Sequence, residues 1–142
     1  MTEPATPIHY TGHLIRRAQQ VHVAAWVAHV SRDVSSVQFA ALTVLEAAPG
    51  ASQAELGTQL DLDRSTIADL VARMVRNDLI AREADPGDRR RKMLTLTGRG
   101  SEVLRTLRPR VESIETIVTG GLGEADRAEL RRLLTAIVSR RD

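Results

Sequence analysis

The stretch from Ser52 to Thr97 most constrains the fold, because its hydrophobic period changes partway along. Ser52 is suited to cap a short helix from Gln53 to Leu60, and Asp61-Leu62-Asp63 reads as a turn with capping carboxylates. Asp63 or Ser65 then starts a longer helix, with Ile67, Leu70, Val71, Met74 and Val75 on one face. Two short helices a few residues apart predict a helix-turn-helix whose second helix is the recognition helix. After it the helical period stops. Leu79-Ile80-Ala81 is a short apolar run, Asp85-Pro86-Gly87-Asp88 a turn signal, and Met93 to Leu96 a returning strand. This predicts a β-hairpin with Arg89, Arg90, Arg91 and Lys92 on its turn side. A hairpin directly after a recognition helix is a wing.

Long amphipathic helices flank this motif. From Ile8 to about Ser31, Leu14, Ala18, Val21 and Ala25 form one stripe, widened by Ile15, His22 and Trp26. Ser35 or Ser36 caps a second helix through Phe39, Leu42, Val44 and Leu45, stopped at Pro49-Gly50. Thr97 caps a long helix apolar at Val103, Leu104, Leu107, Val111, Ile114 and Val118, in which Pro109 is expected to make a kink or break. After Gly120 to Gly123, a last helix runs from Glu124 to about Arg140, apolar at Leu130, Leu133, Leu134, Ile137 and Val138. The expected fold is mainly α: a winged helix-turn-helix lobe over residues 33–98. An N-terminal arm and helix (1–32) and C-terminal helices (99–142) flank it. The terminal helices carry more apolar surface than a small lobe can cover, so a two-fold homodimer with intertwined ends is expected.

Composition narrows the function. The chain of 142 residues has no cysteine, which excludes disulfides, thiolate–zinc sites, iron–sulfur clusters and thiol redox switching. It carries 20 basic and 18 acidic residues, and Lys92 is the only lysine. Arginine suits bidentate contact with phosphate or guanine, but so small a net charge requires any nucleic-acid surface to come from local clustering. No apolar run reaches the roughly 18 residues of a membrane span. The opening MTEPATPIHY lacks the features of a secretory signal, so a cytoplasmic location is expected.

The segment READPGDRRRKMLTLTGRG resembles the wing of the MarR family, the multiple-antibiotic-resistance type regulators. The matching residues are Asp85, Pro86, Asp88, Arg90, Leu94, Leu96, Thr97 and Gly100. Upstream, LDLDRSTIADLVARMVRNDLIAR resembles the family's recognition helix and its exit into the wing. Element order and length extend the resemblance over nearly the whole chain. It implies a winged-helix transcriptional regulator that binds an operator in double-stranded DNA as a homodimer and needs no cofactor.

Several residues then become candidate DNA contacts. A presented arginine meets enhanced negative potential in a narrow minor groove. The resemblance gives that role to Arg90, with Asp88 orienting it, and Asp88 is also able to pair with a neighbouring arginine. Arg89, Arg91 and Lys92 then have phosphates within reach. Arg64, Ser65 and Thr66 occupy the end of the recognition helix that enters the major groove. By resemblance, Arg73 reaches a guanine or phosphate, and Arg82 touches backbone at the wing's base. Asp69 departs from the basic or polar residue common there and is expected to pair with Arg73 at i+4. Arg64 and Arg76 also fit plain surface residues. Ser52 and Gln53 are further candidate phosphate contacts.

A second constellation lies on the first helix: His9, Tyr10, His13, Arg16, Arg17, His22 and Trp26. His9 and His13 have a metal-compatible spacing, but no third ligand follows, so no metal is expected. The resemblance implies a small-molecule pocket lined by this helix. In it Trp26 and Tyr10 would stack on a ring and Arg16 or Arg17 would clamp a carboxylate. HLIRRAQQVHVAAW resembles the family subset that controls aromatic-acid catabolism, which implies an aromatic acid or its CoA thioester as effector. Trp26 and His22 equally fit a dimer core, with the arginines on the surface.

Other classes fit less well. An enzyme would need a phosphate loop, a nucleophile–base pair or a metal motif, and the sequence offers none. A multidrug-type regulator with broad ligand choice remains an alternative. So does a winged-helix interaction module that never touches DNA, although the run from Arg89 to Lys92 argues against it.

Overall fold

The computed structural model describes residues 9–140. Among them are six helices and three strands, in the order α1 (Thr11–His29), α2 (Ser36–Ala47), β1 (Ala51–Ser52), α3 (Gln53–Leu60), α4 (Arg64–Arg76), β2 (Ile80–Asp85), β3 (Asp88–Leu96), α5 (Gly98–Val118) and α6 (Glu124–Val138). This is a mainly helical winged helix-turn-helix, as the period change predicts.

Local chemistry sets most boundaries. Ser35, not Ser36, caps α2: its Oγ accepts from the Gln38 N–H at 3.1 Å and Gln38 Oε1 accepts from the Ser35 N–H at 3.2 Å. That reciprocal box satisfies Gln38, the one buried polar residue of the described chain. Ser52 and Glu55 repeat the box at α3. Asp63 caps α4 by accepting from the Thr66 N–H at 2.7 Å, while Ser65 donates its hydroxyl to the same carboxylate at 3.0 Å. Asp61 and Asp78 end α3 and α4 in the left-handed region, which aspartate tolerates better than most residues.

Three expectations change. The wing is not a lone hairpin: β1 adds a third strand, with sheet order β1-β3-β2 and antiparallel register Ala51↔Leu94 and Ser52↔Met93. The hairpin strands extend to the turn itself, pairing Ala84 with Lys92, so the basic run is part of β3 rather than a loop beside it. Pro109 does not break α5, which runs on to Val118. A proline interior to a helix costs about 3 kcal/mol. Leu104 and Leu107 before it and Ile114 after it are all buried, and packing on both sides offsets that cost. The start of the first helix at Ile8 lies outside the described residues.

One core joins the elements. Trp26 and Val30 of the α1 region, Leu42 and Leu45 of α2, Leu56, Ile67, Val71, Met74, Leu94, Leu104 and Ile114 form one cluster. Arg110 Nη1 donates to the Val30 carbonyl at 3.1 Å, tying α5 to the end of α1. Gly100 lies in the first turn of α5, where a Cβ would stand 2.0 Å from the Leu79 carbonyl oxygen. Only glycine allows the helix to start this close to the end of α4. By contrast α6 buries no residue, and Leu14, Ile15 and Val21 of α1 are also exposed.

Candidate nucleic-acid interface and effector cavity

The helix-turn-helix presents α4 by its outer face. Ile67, Val71 and Met74 point into the core, leaving Arg64, Ser65, Thr66, Asp69 and Arg76 exposed. Ser65 has already committed its hydroxyl proton to Asp63, so toward DNA it offers lone pairs only. The Thr66 backbone N–H holds the Asp63 carboxyl below the usual aspartate range, helped by the Thr66 and Ser65 side chains. Arg73 is exposed on the flank of α4 that faces α1 rather than at the centre of the outer face. The expected Asp69–Arg73 pair is not formed: none of the ion pairs among the described residues joins them. Both side chains remain in water, where such a pair is worth little.

The wing is a built turn. Asp85 Oδ1 accepts from the Gly87 N–H at 2.8 Å, and Asp88 Oδ1 accepts from the Arg90 N–H at 3.0 Å. Asp88 therefore orients Arg90 through its backbone, not by the side-chain ion pair open to it from sequence. Arg89, Arg90 and Lys92 are exposed with no carboxylate at ion-pair distance, as is Arg82 at the base of β2. Arg91 differs. Its Nη2 lies 2.5 Å from Glu55 Oε1 of α3 and its Nε 3.8 Å from Asp85 Oδ2, so part of its guanidinium is already engaged by carboxylates. Ser52 and Gln53 line the groove between α3 and the wing together with Arg90 and Lys92. Ser52 Oγ accepts within its capping box, which leaves its O–H free to donate outward.

The cluster on α1 is not one site within a single chain. His13 and Trp26 are separated by thirteen residues of continuous helix, about 20 Å. Tyr10 is 57% exposed, and His9, Arg16 and Arg17 are exposed as well. Arg16 lies 2.8 Å from a His13 ring nitrogen, and Arg17 is bonded to Gln20. No group of three or more His, Asp or Glu among the described residues could hold a metal ion. Trp26 is only 5% exposed. Its indole N–H donates to the Val34 carbonyl at 2.7 Å, its ring meets Phe39 edge-on at 5.9 Å, and His22 tilts against it at 6.1 Å. It is a core residue with one edge on a cavity, not an open stacking platform.

That cavity, of about 290 Å³, shares only Trp26 with the pocket expected along the first helix. Its walls are Val23, Trp26 and Val27 of α1, Ser31 to Ser35 of the α1–α2 connection, Ser36 and Gln38 of α2, and Arg73 and Asn77 at the end of α4. Arg32 and Arg73 stand on it without an ion-pair partner, beside one carboxylate, Asp33. An apolar wall with unneutralised guanidinium groups suits a small anion carrying a ring. No local signal points to its other walls, because Arg32 and Arg73 are brought to one cavity only by the fold.

A family model described as the MarR family matches residues 32–91. The chain is 32% identical over 128 residues to the HTH-type transcriptional repressor NicR of Pseudomonas putida, covering 89% of this chain and 81% of that protein. The PcaV transcriptional regulator of Streptomyces coelicolor, solved with its natural ligand, superimposes with a TM-score of 0.89 at 35% identity, over 97% of this chain and 98% of that one. BpsR of Bordetella bronchiseptica, whose DNA binding is regulated by 6-hydroxynicotinic acid, superimposes at 0.90 with 28% identity, over 98% of this chain and all (100%) of that one. With the element order, the wing and the recognition helix in place, the chain belongs to the MarR family of transcriptional regulators, not to a class of enzymes.

Proposed function

We propose that this chain is a cytoplasmic, ligand-responsive repressor. It binds a pseudopalindromic operator as a homodimer and is released by a small aromatic carboxylate or its CoA thioester. Residues 33–98 are the DNA-binding lobe, and the helices of 1–32 and 99–142 join two copies. Arg64, Ser65, Thr66 and Arg73 enter or flank the major groove. Arg90, oriented by Asp88, enters the minor groove, and Ser52, Gln53, Arg82, Arg89 and Lys92 meet the backbone.

The observation that carries this reading is the cavity shared by α1 and α4. A ligand there touches Trp26 on one side and Arg73 of the recognition helix on the other, so occupancy and DNA-reading geometry are coupled. The 6-hydroxynicotinic acid named for BpsR supports an aromatic acid as effector. Arg16, Arg17, His13 and His22 on α1, and His9 and Tyr10 just before it, lie outside the cavity lining, where a second copy's helices would enclose them. Release needs only a few kcal/mol of differential affinity between two lobe arrangements.

The test is a mobility shift on DNA flanking the protein's own gene, with and without phenolic acids and their CoA thioesters. A specific shift released by one of them, and lost in Arg90→Ala, is expected. A specific shift that no acid releases would remove the effector class. No specific shift at low salt would favour an interaction module instead.

A further inference from the structure

We propose that Arg91 is a strut that sets the angle of the wing against α3, and that Glu55 therefore strengthens DNA binding although it is a carboxylate beside the DNA-facing surface. The inference rests on the reading that the wing engages DNA.

The base of the wing is anchored by Ile80 and Leu94 in the core, but its outer part is joined to the lobe by very little. Past the pairs Ala51↔Leu94 and Ser52↔Met93, β1 ends and only β2 and β3 remain paired with each other. A two-stranded ribbon is marginal on its own and twists freely. Arg91 is the first residue beyond that short ladder on the same strand face as Met93. It reaches back across 36 residues of sequence to Glu55 Oε1 at 2.5 Å. The tie thus continues the β1–β3 ladder by one more contact, toward the turn.

Glu55 is held in advance. Its Oε2 accepts from the Ser52 N–H at 3.2 Å, while its own N–H donates to Ser52 Oγ at 3.1 Å. A carboxylate already fixed by a capping box loses little further freedom when the arginine arrives, unlike most exposed pairs. On the other side, Asp85 lies 3.8 Å from Arg91 while fixing the turn through Gly87. Arg91 therefore bridges the start of α3 and the wing turn. Its neighbours Arg90 and Lys92 carry no such partner. Within one basic run, one cation is structural and its neighbours face outward.

The strut and simple electrostatics give opposite signs for Glu55. Removing a negative charge near phosphates should tighten binding if charge alone decides. It should loosen binding if Glu55 positions the wing. Glu55→Gln keeps the capping box, since glutamine also serves at that position.

The experiment uses full-length protein and a duplex that the wild type selects from a random pool, with affinity measured across a salt series. Glu55→Gln and Arg91→Ala are each expected to weaken binding about three- to five-fold, with the double variant no weaker than either single one. The slope of log affinity on log salt should be unchanged in Arg91→Ala but fall by about 0.9 in Lys92→Ala. Tighter or equal binding by Glu55→Gln, or a slope loss in Arg91→Ala, would overturn the strut. A DNA-free readout separates the two readings: hydrogen exchange at residues 89–92 should quicken in Glu55→Gln while α4 stays protected. If the wild type selects no duplex, the DNA reading fails. The exchange data still decide the strut, and unchanged exchange refutes it.

Discussion

The indole N–H of Trp26 donates to the main-chain carbonyl of Val34 at 2.7 Å, across the connection between α1 and α2. One side chain of α1 thereby fixes the loop that forms the floor of the α1–α4 cavity. Phe39 braces the same ring from α2. The shape of the cavity and the packing of α1 on the winged lobe therefore share a support.

Trp26→Phe should lose about 2 kcal/mol of stability, from a smaller buried ring and an unpaired Val34 carbonyl. Thermal or urea unfolding followed by circular dichroism measures this, since the only tryptophan is gone. A loss below about 0.5 kcal/mol would mean that water or a backbone shift replaces the hydrogen bond. Effector release should weaken more than DNA binding, because the cavity floor moves while α4 keeps its core contacts.

Gly100 is irreplaceable for a steric reason that can be isolated. A Cβ there would lie 2.0 Å from backbone, not from a side chain that can swing away. Gly100→Ala should therefore cost about 2–3 kcal/mol or more, at the upper end of overpacking. Gly98→Ala, with nothing within 4 Å of its Cβ, should be neutral or stabilise slightly. Equal stability of the two variants would show that the start of α5 shifts freely.

Much of this fold is legible in the sequence because its determinants are local. The caps made by Ser52 and Thr97 and the Asp85–Asp88 turn act within three or four residues, so caps and turn could be read directly. What was hidden is non-local. Ala51 and Ser52 are too few to show a strand period, and only Met93 and Leu94 make them β1. Arg91 looks like its neighbours until Glu55 is brought to it. Trp26 looks like a ligand platform until Phe39 and Val34 enclose it. Pro109 reads as a breaker because the packing on either side of it is invisible in one segment.

Asp63 supplies a pH dependence. Its carboxyl is held below the ordinary aspartate value chiefly by the Thr66 N–H, so the folded chain binds that proton less readily than the unfolded chain does. The cap's contribution is present above the ordinary value near 3.9 and fades as pH falls toward the lowered folded value. Asp63→Asn keeps a capping oxygen without the titration. Melting temperatures of the two proteins, compared from pH 6 downward, should converge through that range. Glu129, also lowered, by its bond from Arg132, is common to both and cancels. A difference that stays constant with pH would remove Asp63 as the titrating group.

The exposed apolar face of α6 sets the last expectation. Leu133, Leu134, Ile137 and Val138 leave a whole helix without a buried residue, and Val138 is 73% exposed. α1 adds Leu14, Ile15 and Val21. Patches of this kind mark association surfaces, and a stable interface of standard size needs about 800 Å² from each copy. Leu133→Glu combined with Ile137→Glu puts two charges on that face and changes nothing in the core cluster. Sedimentation should show the wild type as a dimer and the double variant as a folded monomer. The monomer should lose operator affinity by far more than it loses stability, because each lobe then binds a half-site alone. A variant that remains dimeric would place the interface elsewhere, and a wild type that is monomeric would remove the two-fold operator with it.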